Sequence, residues 1–277
     1  MDDLDQHVRD HYAAFGEREA ILAALQKRGI AVESLTPEHL SPFDQFHTGG
    51  ALATERLAAL LGPQTGDRVL DIGCGLGGPA RMLAALKGCC VVGVDLAPHF
   101  VENAKFFTDL TRQSEHVSFH VASATSLPFP DASFDAAWHL HVSMNVADKK
   151  SMYREISRIL KPGGTLAIHD PVRGDKGEVV FPVPWTPHPN MSYLVSAEDL
   201  KAEIANAGFQ ALEEADSTDD GLTWHKQLDA KRKKHQSAAA KIKSKPPSSL
   251  DIMTANHRAN LSSGAVRICT LKVRKRL

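Results

Sequence analysis

Residues 69–88, VLDIGCGLGGPARMLAALKG, constrain the fold more than any other stretch. A short apolar run ends on glycines at 73, 75, 77 and 78, and Pro79 then opens a segment with helical spacing. A strand that feeds a helix through such a turn is the first half of a βαβ unit. The same alternation continues through CCVVGVD, PHFVENAKFFTDLTRQ, HVSFHVA (116–122), FDAAWHLH (134–141), DKKSMYREISRIL and TLAIHD (165–170). Strands separated by single helices predict a mostly parallel sheet, with any ligand beyond the carboxyl ends of the strands.

The flanks are read the same way. Residues 7–30 are expected to be helical up to Gly29, and ALATERLAALLGP (51–63) is an amphipathic helix stopped by Gly62 and Pro63. SAEDLKAEIANAGF opens on a Ser196–Asp199 capping box, and QALEEAD and AVRICTLKV complete the strands. A chain of 277 residues, 43% hydrophobic and 23% charged, can bury a sizeable core, and no run is long enough to span a membrane. The acidic start MDDLDQHVRD has no apolar signal region. Cys74, Cys89, Cys90 and Cys269 show no CxxC spacing, and the Cys89–Cys90 pair reads as buried small hydrophobes. A reducing, cytoplasmic setting is the expectation.

The net charge of −1 hides an asymmetry: residues 226–277 hold fourteen Lys/Arg against two Asp/Glu, a balance of +12 that leaves −13 on the rest. A solvated helix face explains this better than nucleic-acid binding, because no aromatic or glycine pattern accompanies the charges.

Gly73, Gly75 and Gly78 satisfy GxGxxG, which alone is a weak dinucleotide signal. Asp71, two residues before the first glycine, is unwelcome beside a pyrophosphate but suits a cationic group. Asp95, ending VVGVD, can accept both hydroxyls of a ribose. One acid for a cation and one for a ribose fit S-adenosylmethionine better than NAD.

Over residues 45–215 the chain resembles the class I S-adenosylmethionine-dependent methyltransferases, through VLDIGCGLGG, VVGVDLA, LPFPDASFD and ILKPGGTLAIHD in the family's order. The resemblance implies a Rossmann-like, doubly wound, seven-stranded sheet with helices on both faces. It implies a methyltransferase domain over 51–277, an N-terminal helical lid over 1–50, a substrate-cap insertion at 171–195 and a basic segment at 225–277. Gly73, Cys74, Gly75 and Gly77 would line the methionine part, Asp71 would face its amino group, and Asp95 with Leu96 would hold the ribose. Ser123, Ala124 and Thr125 would flank the adenine, Ser123 standing where the family often has an acid. SPFDQFHTGG (41–50) and FPVPWTPHPNMSYL (181–194) are similar to segments of the sarcosine and dimethylglycine N-methyltransferase subgroup. By that likeness His47 borders the cofactor and Trp185 roofs a small-molecule acceptor.

His139 and His141 in WHLHVSMN would face one way on a strand, and by resemblance His139 sits beside the transferring methyl. Three readings stand: a polar wall that orients the acceptor and takes a proton, locally satisfied packing, or half of a metal site with Asp170. The last is the weakest, and no metal is expected. Asn145 could add a hydrogen bond to the acceptor. The expected activity is methyl transfer to a small polar molecule, nitrogen favoured, with O-methylation by His139, His141 and Asp170 as the alternative. An RNA-binding protein and a nicotinamide-dependent oxidoreductase are the rivals from other classes.

Overall fold

Val69, Leu70 and Ile72 are at most 1% exposed, so β1 (Arg68–Ile72) is covered on both faces, as a central parallel strand must be. The other strands are β2 (Cys90–Asp95), β3 (Val117–Val121), β4 (Phe134–Leu140), β5 (Leu160–Arg173), β6 (Phe209–Asp216) and β7 (Val266–Lys275). The computed structural model describes residues 3–13, 15–238 and 248–277. Its seven strands form one sheet in the order β3-β2-β1-β4-β5-β7-β6. Neighbours from β3 to β5 run parallel, while β7 is antiparallel to both β5 and β6. The doubly wound, mostly parallel expectation holds.

Helices α1 (Asp3–Tyr12), α2 (Arg18–Lys27) and α3 (Pro37–Asp44) precede α4 (Gly50–Leu61), α5 (Gly78–Lys87), α6 (Pro98–Leu110) and α7 (Lys149–Ile159). After β5 come α8 (Ala197–Asn206), α9 (Thr218–Ala238) and α10 (Ser249–Ser263). One face of the sheet packs Val69, Ala136 and Trp138 against Leu57, Ala80 and Leu83 of α4 and α5. The other packs Leu70, Ile72 and Ala137 against Met152, Tyr153 and Leu200 of α7 and α8. Side-chain alternation therefore assigns every residue at the strand tips to one of these two faces.

The helical expectation for 7–30 breaks into α1 and α2. Asn103 of α6 fastens the break, donating from Nδ2 to the Gly16 carbonyl at 3.0 Å and accepting from Arg18 Nε at 3.0 Å. Cys90, expected to be buried, is exposed at the start of β2, whereas Cys89 is buried. The centre of the basic segment, 239–247, lies outside the described residues. Among the described residues no helix is long and apolar enough to cross a membrane.

Candidate functional site

A cavity of about 370 Å³ opens beyond the carboxyl ends of β1, β2 and β4. β1 and β4 are neighbours whose chains turn away in opposite directions, which leaves a crevice at their tips. Gly73 closes the crevice at its base: its φ is +68°, and a Cβ there would lie 2.4 Å from Val142 Cγ2. Gly75, at φ +51°, has only Phe46 within reach of such a Cβ, at 3.9 Å, so the space above it belongs to the cavity.

Asp71, Gly73, Cys74, Gly75, Asp95, Leu96, Ser123, Ala124 and Thr125 all line this cavity. Asp71 is 1% exposed, and its Oδ2 has no hydrogen-bond partner. Burial pushes its carboxyl up to about 8, the Trp138 side chain opposing and Asp95 adding to the rise. Asp95 accepts the Gly75 N–H and the Ala97 N–H, both at 2.9 Å, so it shapes the glycine turn and the entry to α6 together. Ser123 and Thr125 share a 2.9 Å hydroxyl contact. Gly77 does not line the cavity. It is the N-cap of α5, and a Cβ there would lie 2.5 Å from the Phe119 ring, so close packing rather than ligand contact demands the glycine.

The expectation that His139 and His141 face one way is corrected. His139 stays on the α7 face, fully buried, with Nδ1 3.3 Å from Asp170 Oδ2 and Nε2 3.4 Å from the Tyr153 hydroxyl. It does not line the cavity, and neither does Asp170. Asp170 accepts the Val142 N–H at 3.0 Å and the Ser143 N–H at 2.8 Å, and so holds the turn after β4. Burial pushes its carboxyl up, but His139 and Ser143 pull it further down, well below the ordinary carboxylate range. Of the three residues expected to form an O-methylation set, His139 and Asp170 meet away from the cavity, and only His141 lines it.

His141 lies just past the end of β4 with φ +57°, and this one residue turns its ring to the α4 face and into the cavity wall. There its Nε2 accepts the Thr48 N–H at 3.3 Å, and its ring stacks on His169 at 5.8 Å. His47 and His257 stand 6.1 and 6.3 Å from it. Thr48 is the hub: its hydroxyl meets His257 Nε2 at 2.9 Å, and its carbonyl accepts from His169 Nε2 at 3.1 Å. Burial drives all four histidines below the ordinary range, to about 3 for His47 and His257, and their mutual repulsion helps to lower His47 and His141. A histidine depressed in the fold contributes stability above its unfolded value near 6.5 and loses it as pH falls below that value. The Tm at pH 5 is therefore expected to fall about 5 °C or more below that at pH 7.5, read by a fluorescence melt.

Asn145 and Trp185 also line the cavity, but both are partly engaged. Asn145 Nδ2 donates to the Tyr12 hydroxyl at 3.2 Å, and Trp185 Nε1 donates to Ser192 Oγ at 2.9 Å. Several wall residues escaped sequence reasoning: Val8 and Tyr12 from α1, Phe15 between α1 and α2, Asp44 at the end of α3, Phe46 after it, and Met144 and Leu250. The aromatics of HYAAF in an otherwise polar stretch were the available signal for Tyr12 and Phe15. Asp44 is 4% exposed, with Oδ2 accepting from Arg81 Nη2 at 2.7 Å and Oδ1 left without a partner.

Residues 70–168 match the family described as a methyltransferase domain. The sterol 24-C-methyltransferase of Saccharomyces cerevisiae is 29% identical over 215 residues, covering 71% of this chain and 55% of that protein. An O-methyltransferase of Aspergillus nomiae is 32% identical over 181 residues, covering 61% of this chain and 77% of that protein. The chain spans about half the length of the sterol methyltransferases it matches. A solved structure from Galdieria sulphuraria, assigned as a sarcosine dimethylglycine methyltransferase, superposes with a TM-score of 0.67 at 21% identity, covering 81% of this chain and 85% of that one, and so shares the fold. The buried Asp71 at the tip of β1, whose Oδ2 has no hydrogen-bond partner, opposes a pyrophosphate there. The strand order, the glycine turn between two strand-tip acids and the sequence relationships together make this chain a member of the class I S-adenosylmethionine-dependent methyltransferases.

Proposed function

We propose that this chain transfers the methyl group of S-adenosylmethionine to a hydroxyl oxygen of a small, largely apolar molecule. The observation that carries this reading is the composition of the cavity wall away from the glycine turn. Val8, Phe15, Met144, Pro184 and Trp185 give it an apolar surface, and beside the carboxylates Asp5 and Asp148 its other polar side chains are Tyr12, His47, His141 and Asn145. These last four are uncharged at neutral pH: burial pushes the Tyr12 phenol up to about 12 against its Asn145 contact, and it pushes both imidazoles down. Neutral donors and acceptors on an apolar wall suit an uncharged acceptor. Residues 1–50 and the connection 171–195 would cover this end.

The residues present fit the cofactor. Asp71 and Asp44 are buried acids that line the cavity, each with one carboxylate oxygen that has no hydrogen-bond partner, which suits an ammonium group. Gly73 to Gly75 leave room for the methionine part, Asp95 would take the ribose hydroxyls, and residues 122–125 would flank the adenine. When bound, S-adenosylmethionine supplies a methyl group already activated on a positive sulfur. The chain's own share is to exclude water, hold the acceptor oxygen in line and accept its proton, so catalysis rests on positioning.

One consequence concerns affinity. A carboxyl raised to about 8 must lose its proton before it pairs with an ammonium group, so binding should strengthen with pH. Affinity for S-adenosylmethionine by calorimetry is expected to be about ninefold tighter at pH 7 than at pH 6, and Asp71→Asn should flatten that dependence. Equal affinity at the two values would remove Asp71 from the ammonium site.

A nitrogen acceptor is the second reading. It would draw on Asp5, a half-buried carboxylate on the cavity wall, since the other carboxylate on this side, Asp148, is exposed and caps α7 by accepting the Ser151 N–H. A methyl-transfer screen over phenols, alicyclic alcohols and amines of matched size distinguishes the two. Turnover confined to hydroxyl compounds is expected. Turnover confined to amines, and lost in Asp5→Asn, would replace this reading.

A further inference from the structure

The two imidazoles on the cavity wall hold opposite tautomers, and this divides their roles. His47 Nε2 lies 3.0 Å from the Gly50 carbonyl and 3.1 Å from Thr54 Oγ1. A carbonyl only accepts, so Nε2 carries the proton. Thr54 agrees with this, because its own hydroxyl proton is committed to Gln45 Oε1 at 2.7 Å, leaving its oxygen to accept. Nδ1 of His47 is then a bare lone pair, with no hydrogen-bond partner among the described residues, on a ring that lines the cavity. At His141 the logic reverses. Its Nε2 accepts the Thr48 N–H at 3.3 Å, a group that can only donate, so the ring proton sits on Nδ1. The expected proton acceptor of the sequence pattern therefore has its basic nitrogen already occupied by the backbone.

We infer that His47 Nδ1 accepts the proton of the acceptor hydroxyl, while His141 Nδ1–H donates to the same oxygen. This rests on the O-methylation reading and deepens it. A lone pair and an N–H on rings 6.1 Å apart select a group that both donates and accepts. A hydroxyl does both; an ammonium group cannot accept, and a carboxylate cannot donate. As the acceptor oxygen forms its bond to the methyl carbon through a lone pair, the carbon–sulfur bonding pair stays on sulfur. The O–H proton passes to His47 Nδ1, and the imidazolium returns it to water once the ether leaves. The low basicity of His47, buried beside His169, is no obstacle, because an oxygen gaining a methyl group becomes strongly acidic.

Two measurements test the pair, the first without turnover. Long-range 1H–15N spectra of the 15N-labelled chain at pH 7 should show His47 as the Nε2–H tautomer and His141 as the Nδ1–H tautomer. Saturating 2-naphthol should move the His47 Nδ1 resonance upfield, as a new hydrogen bond to it requires. The reverse tautomers, or no upfield movement, overturns the inference. The second uses His47→Gln, which keeps an amide donor for Gly50 and Thr54 but removes the Nδ1 lone pair. With the best hydroxyl acceptor of the screen, kcat should fall at least 100-fold, with KM, cofactor affinity and Tm nearly unchanged. Retained kcat overturns the role of His47. No methylation of any hydroxyl compound, with the spectra as expected, overturns the O-methylation reading instead and leaves the tautomers standing.

Discussion

Asp170→Ala is expected to cost about 3–5 kcal/mol of stability, because it strips the hydrogen-bond acceptors from two buried N–H groups and the counter-charge from His139. In a chain of this size that corresponds to a Tm about 10 °C lower. The damage should spread to the site. Val142, whose N–H binds Asp170 Oδ1, is the side chain against which Gly73 closes, and Asn145 ends the same turn. Affinity for S-adenosylmethionine and turnover should therefore both fall, although Asp170 touches neither end of the cavity. Asp170→Asn preserves the shape but turns one acceptor into a donor that faces an N–H, so it should recover little. Urea unfolding with calorimetry checks this; a Tm within 2 °C of wild type for the alanine variant would show that the turn holds itself. The loss also has a pH signature. A carboxyl depressed in the fold contributes stability above its unfolded value and loses it as pH falls below about 4. The melting difference between variant and wild type should therefore narrow in strong acid.

The parts of the site that could be read from sequence are those built within a few residues of a strand end. Asp71, Gly73 and Gly75 come from one strand and its turn, and Asp95 from the tip of the next, so strand periodicity and two acids sufficed to bring them together. His139 and His141 failed for an equally local reason. Alternation puts them on one face, but β4 ends at Leu140, and the left-handed conformation of His141 reverses its ring. Nothing in WHLHVSMN announces that reversal, since the backbone N–H of His141 is spent on the His169 carbonyl across the sheet at 2.9 Å. Long-range partners were out of reach for the same physical reason. Thr48 meets His257 across 209 residues of sequence and His169 across 121, and Tyr12 meets Asn145 across 133. Such contacts depend on which helix covers which strand tip, and that is decided by packing rather than by a motif.

Arg81→Met should produce a comparable loss, about 3–5 kcal/mol at pH 7, by leaving a buried carboxylate without its counter-charge. Arg81 is fully buried in α5. Its Nη2 donates to Asp44 Oδ2 at 2.7 Å and the Leu76 carbonyl at 2.8 Å, and its Nη1 to Thr108 Oγ1 at 2.9 Å. Burial already holds the Asp44 carboxyl above its ordinary value despite the guanidinium, so removing the charge raises it further. A group raised in the fold contributes stability that is full below its unfolded value, near 3.9, and is lost as pH rises through the folded one. The deficit of the variant relative to wild type should accordingly be largest at pH 7 and shrink toward pH 4. The histidine cluster, which loosens in acid, burdens both proteins alike and cancels in that difference. Asp44→Leu combined with Arg81→Met should regain part of the loss, because a packed apolar pair has no charge left to desolvate. A coupling energy near zero in that double-mutant cycle would mean that the two groups are held by their other partners and not by each other. Because Asp44 lines the cavity and its Oδ1 has no hydrogen-bond partner, the double variant should stay folded yet bind S-adenosylmethionine more weakly than wild type. That outcome would separate what the ion pair does for the fold from what its free oxygen does for the ligand.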